Sequence, residues 1–205
     1  MPLIDYFKGK QMLDRYGIKS VESRYVSSSE EAVRFAGNEP ITLKLISDKA
    51  LHKSKSGLVK LNLKGSEIKN AFGELSAKSA KLRPYKIIAQ KMARPGIEII
   101  IGGRTDPQFG KLVLLGLGGI YVEVFKDFAL RVCPITRYDA ENMISQLKSK
   151  NVITFNGKDT EMIADLLVSI SELLNENHNI SELDLNPIIV REGSYEAVDI
   201  RILTK

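Results

Sequence analysis

A lysine interrupts an apolar run, Ile-Thr-Leu-Lys-Leu-Ile at 41–46. An ammonium withdrawn from water needs a counter-charge. Lys44 therefore either reaches solvent from a half-exposed strand or meets an anion such as a phosphate. Further on, His52 stands in Leu-His-Lys-Ser-Lys-Ser-Gly-Leu-Val. Imidazole is nucleophilic near neutral pH and can accept a phosphoryl group. Lys53 and Lys55 can offset the charge of a phosphate, and Gly57 lets backbone N–H groups approach. An exposed loop histidine is the plain alternative. The second of the two histidines, His178 in Asn-Glu-Asn-His-Asn, suits a capping or solvated role.

Two further stretches carry candidate chemistry. Gly116, Gly118 and Gly119 form a glycine-rich turn that serves a phosphate, a close backbone approach or a plain hairpin. It is not a dinucleotide fingerprint, because no helix follows it in the pattern. Glu123 and Asp127 behind it read as exposed strand charges. In Glu-Leu-Asp-Leu-Asn-Pro, strand alternation puts Glu182, Asp184 and Asn186 on one face. Asp199 lies in a later strand, and adjacent strands could bring Asn186 and Asp199 together as hard oxygen ligands. Mg²⁺ accepts such a small protein set and completes its shell with water and phosphate. Arg201 shares the face of Asp199 and could hold a phosphate. A polar outer sheet face with an Asn-Pro turn is the alternative.

The elements that position these residues follow from periodicity and capping signals. Helices are predicted at 5–16, from Ser28 with Glu31 to Ala36, from Ser66 to about Lys81, around 139–147 and at 159–174. Strands are predicted at 41–47, 58–63, 86–92, 97–101, 112–117, 120–125, 128–133, 180–185, 188–190 and 196–202. Neighbouring strands joined by tight turns argue for α+β lobes with antiparallel sheets. Two lobes are expected, 1–90 with the leading helix and 91–205, with a ligand cleft between them.

Of the 205 residues, 43% are hydrophobic and 27% charged, enough to bury a core. The single cysteine, Cys133, excludes an internal disulfide and a cysteine metal cluster, and suits a reducing cytoplasm. The opening lacks the apolar run of a signal peptide, and the run at 112–122 is too short and glycine-rich to cross a bilayer. A soluble, cytoplasmic protein without membrane contact is expected. The net charge of +5 is spread along the chain, with no arginine-rich arm or zinc-finger spacing, so no nucleic-acid partner is expected.

Taken together, four stretches resemble the ATP-grasp (β) subunit of ADP-forming acetate–CoA ligases, relatives of the succinyl-CoA synthetase β subunit. They are ITLKLISDKALHKSKSGLVKLNL, IIAQKMARPGIEIIIGGRTDPQFG, LLGLGGIYVEVFKDFALRVCPI, and ISELDLNPIIV with AVDIRI. The likeness covers nearly the whole chain. It implies an ATP-grasp fold, two α+β lobes with nucleotide bound between them, and ATP/ADP with Mg²⁺ as cofactors. It implies Lys44 on nucleotide phosphates and Gln90, Lys91 and Met92 along the adenine. It implies Glu98 near the ribose, Asn186 and Asp199 as magnesium ligands with Asp184 beside them, and His52 as the phosphorylated histidine. Arg104, Asp106 and Phe109 belong to a segment characteristic of the family. The implied partner is an α subunit that binds CoA and forms the acyl phosphate, giving a hetero-oligomer. The family pattern reads Gly-Gly-Val after the histidine loop, whereas this chain has Gly57-Leu58-Val59.

Two other readings remain at this stage. A stand-alone ATP-grasp ligase joining a carboxylate to an amine would turn over ATP without a partner. A nucleotide-sensing module without catalysis would bind ADP tightly and never form phosphohistidine.

Overall fold

The computed structural model describes residues 2–47, 57–79, 82–119 and 127–205. These divide into two compact units, Val21–Ala93 and the pair Met1–Ser20 with Arg94–Lys205. The leading helix joins the unit of Arg94–Lys205 and not the residues of the 1–90 lobe read from the sequence. Helix α1 (Tyr6–Arg15) lies on strand β10 (Ile200–Thr204), where Gly9 gives room for Ile200 and Ile202. Its terminus is held by hydrogen bonds from Ile4 N to Ile202 O and from Thr204 N to Pro2 O.

The unit 21–93 is a four-stranded antiparallel sheet under two helices. Its strands are β1 (Ser23–Val26), β2 (Ile41–Ile46), β3 (Val59–Leu63) and β4 (Lys86–Lys91), in the order β1-β4-β2-β3. Alternation sends Ile41, Leu43, Leu45, Ile87 and Ala89 to one face. There they pack with Ala32 and Ala36 of α2 (Ser29–Ala36) and Ile68, Ala71 and Leu75 of α3 (Ser66–Ser79). Leu58 joins this core, and its carbonyl accepts from Leu45 N at 2.9 Å, so the bulk that replaces the family's second glycine is absorbed by packing.

The other unit is built on a six-stranded antiparallel sheet. β5 (Ile97–Asp106), β6 (Gly110–Leu117), β7 (Phe128–Val132) and β8 (Ile180–Arg191) run in the order β10-β8-β5-β6-β7, with β9 (Ser194–Ala197) also paired to β8. Helices α4 (Arg137–Gln146) and α6 (Thr160–Glu176) pack on its inner face, and the short α5 (Lys150–Ile153) links them. The apolar stripe of α6 is fully buried at Ile163, Leu166, Leu167, Ile170, Leu173 and Leu174. No helix among the described residues is long and apolar enough to cross a membrane.

Two predicted breaks move. Instead of ending at Asn186-Pro187, β8 runs through this pair; the register against β5 shifts between Ile99 and Ile101, so Asn186 and Pro187 together answer to Ile100. The single strand expected over 196–202 is instead interrupted at Val198-Asp199, between β9 and β10. The predicted strand 120–125 lies outside the described residues.

At the entry to β5 the chain passes against β8. A Cβ on Gly96 would come 2.3 Å from Val190 O, a backbone atom that cannot swing aside. Gly96→Ala is expected to destabilise the chain by about 1–3 kcal/mol. A urea titration checks this by a lower midpoint at an unchanged slope.

Candidate functional site

In the unit 21–93 the chemistry sits on the sheet face opposite the helices. Thr42 and Lys44 project there from β2 beside Gln90 and Ile88 of β4, by the pairings Thr42↔Gln90 and Lys44↔Ile88. All three polar residues are buried: Thr42 is 3% exposed, Lys44 7% and Gln90 1%. A solvent-facing Lys44, one of the two sequence readings, is thereby excluded. Gln90 is oriented by Ser23 of β1: its Nε2 donates to Ser23 Oγ at 3.1 Å, and Ser23 Oγ donates to Val21 O at 3.1 Å. Thr42 Oγ1 donates to Met92 Sδ at 3.0 Å, which ties the methionine after β4 to β2.

Lys91 departs from this group. Strand alternation turns its side chain to the helix face, where the ammonium donates to Ala36 O at 3.0 Å, pairs with Glu39 at 2.9 Å and lies 5.4 Å from the Phe35 ring centroid. Only its backbone is left to edge a base. His52 with Lys53 and Lys55, and Glu123, lie outside the described residues.

In the other unit the break between β9 and β10 forms the second constellation. β9 pairs Ala197 with Ile188 and β10 pairs Ile200 with Leu185, and the two registers are in step. Asp199 therefore stands across from Asn186, and Val198 across from Pro187, whose carbonyl accepts from Val198 N at 3.0 Å. Asn186 is exposed; Asp184 and Asp199 are half-buried. Arg201 lies opposite Asp184 on the same outer face, 3.9 Å from Glu182, and its buried Nε has no hydrogen-bond partner among the described residues.

Two side-chain oxygens side by side, one of them a carboxylate, fit a hard cation that keeps most of its shell for water and phosphate. No group of three or more His, Cys, Asp or Glu that could hold a metal occurs among the described residues. A site that depends on Asn186 would be invisible to a search for carboxylate and imidazole clusters.

Glu98 projects from β5 on the same outer face as Gly102 and Arg104, and Gly118 lies opposite it at the end of the β5–β6 pairing, donating from its N–H to Glu98 O at 2.7 Å. The glycine-rich turn is thus a close backbone approach. Asp127 is no exposed strand charge. Its carboxylate accepts from Lys148 N at 2.9 Å and Ser149 N at 2.8 Å, at the start of α5. Burial opposes its charge, but bonds from Ser149 and Lys148 outweigh that and hold the carboxyl below its ordinary range.

Arg104 and Asp106 shape the β5–β6 turn. Asp106 accepts from Arg104 at 2.8 Å and from Gln108 N and Phe109 N at 2.8 and 3.1 Å. The Arg104 guanidinium, then these backbone donors, keep its carboxyl below the usual range. Phe109 is exposed at the turn. His178 is exposed after α6, as its sequence context suggested.

Sequence reasoning missed Ser23 and Thr42. Thr42 was findable, being two residues from Lys44 and so on its face. Ser23 was not, because nothing local pairs β1 with β4.

A family model for the ATP-grasp domain matches residues 3–203. The β subunit of acetate–CoA ligase [ADP-forming] I from Pyrococcus furiosus is 38% identical, across 98% of this chain and 91% of that protein. The longer acetate–CoA ligase [ADP-forming] I of Archaeoglobus fulgidus is 36% identical across 96% of this chain, which corresponds to 30% of that protein. Among solved structures, acetyl-coenzyme A synthetase 1 of Ca. Korarchaeum cryptofilum, in complex with coenzyme A and Mg-AMPPCP, superposes with a TM-score of 0.83. It has 37% identity and covers 99% of this chain and 93% of that one. In that structure a phosphohistidine segment points towards the nucleotide binding site.

Proposed function

Because the chain belongs to the ATP-grasp domain family, among the β subunits of ADP-forming acetate–CoA ligases, we propose that it is the nucleotide-binding subunit of an ADP-forming acyl-CoA synthetase. The overall reaction is acyl-CoA + ADP + phosphate ⇌ carboxylic acid + CoA + ATP. The observation that carries the site assignment is the placement of Asp199 across from Asn186 at the gap between β9 and β10.

In this reading the candidate residues divide the handling of the nucleotide among them. Lys44, buried on its sheet face, neutralises phosphate oxygens. Gln90, held by Ser23, and Met92, held by Thr42, line the base together with the Lys91 backbone. Glu98 accepts from the ribose. Asn186 and Asp199, with Asp184 alongside, would hold Mg²⁺, which when bound offsets polyphosphate charge; Arg201 adds a guanidinium to the same face. His52 accepts the phosphoryl group on a ring nitrogen and passes it to the terminal oxygen of ADP. Charge neutralisation and positioning supply most of the rate enhancement, as phosphoryl transfer asks little else of a protein.

The partner is a second chain that binds CoA and forms the acyl phosphate, and the assembly is a cytoplasmic hetero-oligomer. Support comes from the A. fulgidus relative, a single long chain of which this one corresponds to 30%.

The test combines the chain with the CoA-binding chain, acetyl-CoA, ADP, phosphate and Mg²⁺. ATP is expected to form only when both chains and the metal are present, and EDTA should stop it. Turnover of ATP by this chain alone with a carboxylate and an amine, and none with the partner, would replace this reading by the carboxylate–amine ligase.

A further inference from the structure

Gly119 follows the cross-strand neighbour of Glu98, and two features set it apart. Its φ of +68° lies in the left-handed region that side chains with a Cβ rarely adopt. A Cβ built there would come 2.8 Å from Glu98 Oε2 and 3.7 Å from Glu98 Cδ, and would meet no other heavy atom of the described residues within 4 Å. Among the described residues, the place a side chain would take at Gly119 is thus taken by the Glu98 carboxylate. Gly118 fixes the other end of the same residue. Its N–H bonds the Glu98 carbonyl at 2.7 Å, and a Cβ on it would lie 2.8 Å from the Glu98 carbonyl carbon.

The two glycines therefore grip one acidic residue. Gly118 sets its backbone, and Gly119 leaves room for its carboxylate. Gly118 continues the β5–β6 ladder one rung beyond Leu117, at a place where a side chain would press on the Glu98 backbone, and Gly119 is exposed just beyond it.

We infer that Gly119 is a positioning residue for Glu98 and so determines how strongly the subunit selects for an intact ribose; this rests on the assignment of Glu98 to the ribose made above. A carboxylate accepting from a ribose hydroxyl favours the hydroxylated nucleotide by about tenfold over the analogue that lacks it. Any side chain at 119 displaces the carboxylate and removes that preference without touching phosphate contacts.

The test compares kcat/KM for ADP with those for 2′-deoxy-ADP and 3′-deoxy-ADP, using the full chain with its CoA-binding partner. Gly119→Asn is the principal variant, because asparagine tolerates a positive φ and so isolates the displacement from backbone strain. Wild type should discriminate against one deoxy analogue by about tenfold, and Glu98→Gln and Gly119→Asn should each bring the ratio within about twofold of unity. Their combination should do no more than either alone.

Loss of discrimination in Glu98→Gln but not in Gly119→Asn would overturn the inference and leave the ribose assignment standing. Unchanged discrimination in Glu98→Gln would overturn both. Should Gly119→Asn not fold, Glu98→Asp serves instead. It leaves the turn intact and withdraws the carboxylate by one methylene, and a ratio kept at the wild-type value would refute the positioning role.

Discussion

With His52 replaced by alanine, the acid-labile label that the wild-type chain takes from γ-labelled ATP is expected to vanish, while ADP binds within about threefold of wild type. A phosphoryl group on imidazole nitrogen is lost in acid and retained in base, so the label's chemistry identifies the acceptor. Removing the nucleophile of a covalent route leaves only direct transfer between the partner chain and ADP. Overall ATP formation should then fall by about a thousandfold or more. Binding should survive, because the groups assigned to base, ribose and polyphosphate are all elsewhere in the chain. Lys53 and Lys55 are retained in this variant, so a surviving label would have to be tested for base lability as well. Wild-type labelling in His52→Ala would remove the shuttle from the mechanism.

Lys44→Met is expected to lower kcat/KM for ADP by about a hundred- to a thousandfold, read on protein whose unfolding curve shows it folded at the assay temperature. The side chain is 7% exposed, so its charge acts where water screens it poorly. Methionine keeps the length of the stem and removes only the ammonium. Lys91→Met is the internal control. Its ammonium is committed to Ala36 O and Glu39, so activity should stay near wild type. Equal losses in both variants would mean that the strand is merely perturbed, and the phosphate role of Lys44 would be abandoned.

The α+β layout was readable because the helices carry long apolar stripes and the strands are separated by turn residues. Residues 160–176 and 41–46 are clear instances. The charged residue inside 41–46 was also readable as an anomaly, though burial was needed to decide which way it pointed. What local pattern could not supply was pairing between distant strands. Asn186-Pro187 reads as a stop by every local rule, because proline removes a ladder donor. Yet β8 runs through it, since it carries the extra residue as a bulge opposite Ile100 of β5, and β9 and β10 part on the other side. The side chain of Lys91 faces the helices for a related reason. The resemblance names a segment, 90–92, but alternation divides its side chains between two faces. The leading helix belongs with the last strand of the chain for a reason no window of sequence contains: its partner is Ile200–Thr204.

The doubled residue in β8 also limits which small deletions this lineage can survive. Losing Pro187 alone would smooth the ladder with β5 but leave Val198-Asp199 one residue too long for the strand opposite, putting β9 and β10 out of step with β8. Losing Val198 alone would cause the same slip from the other side. Only a paired loss, one residue from each strand, restores a continuous sheet, and it would close the gap that separates Asp199 from the regular ladder. The oxygen pair is therefore shielded from erosion by single-residue length changes, and drift at this corner must proceed by substitution.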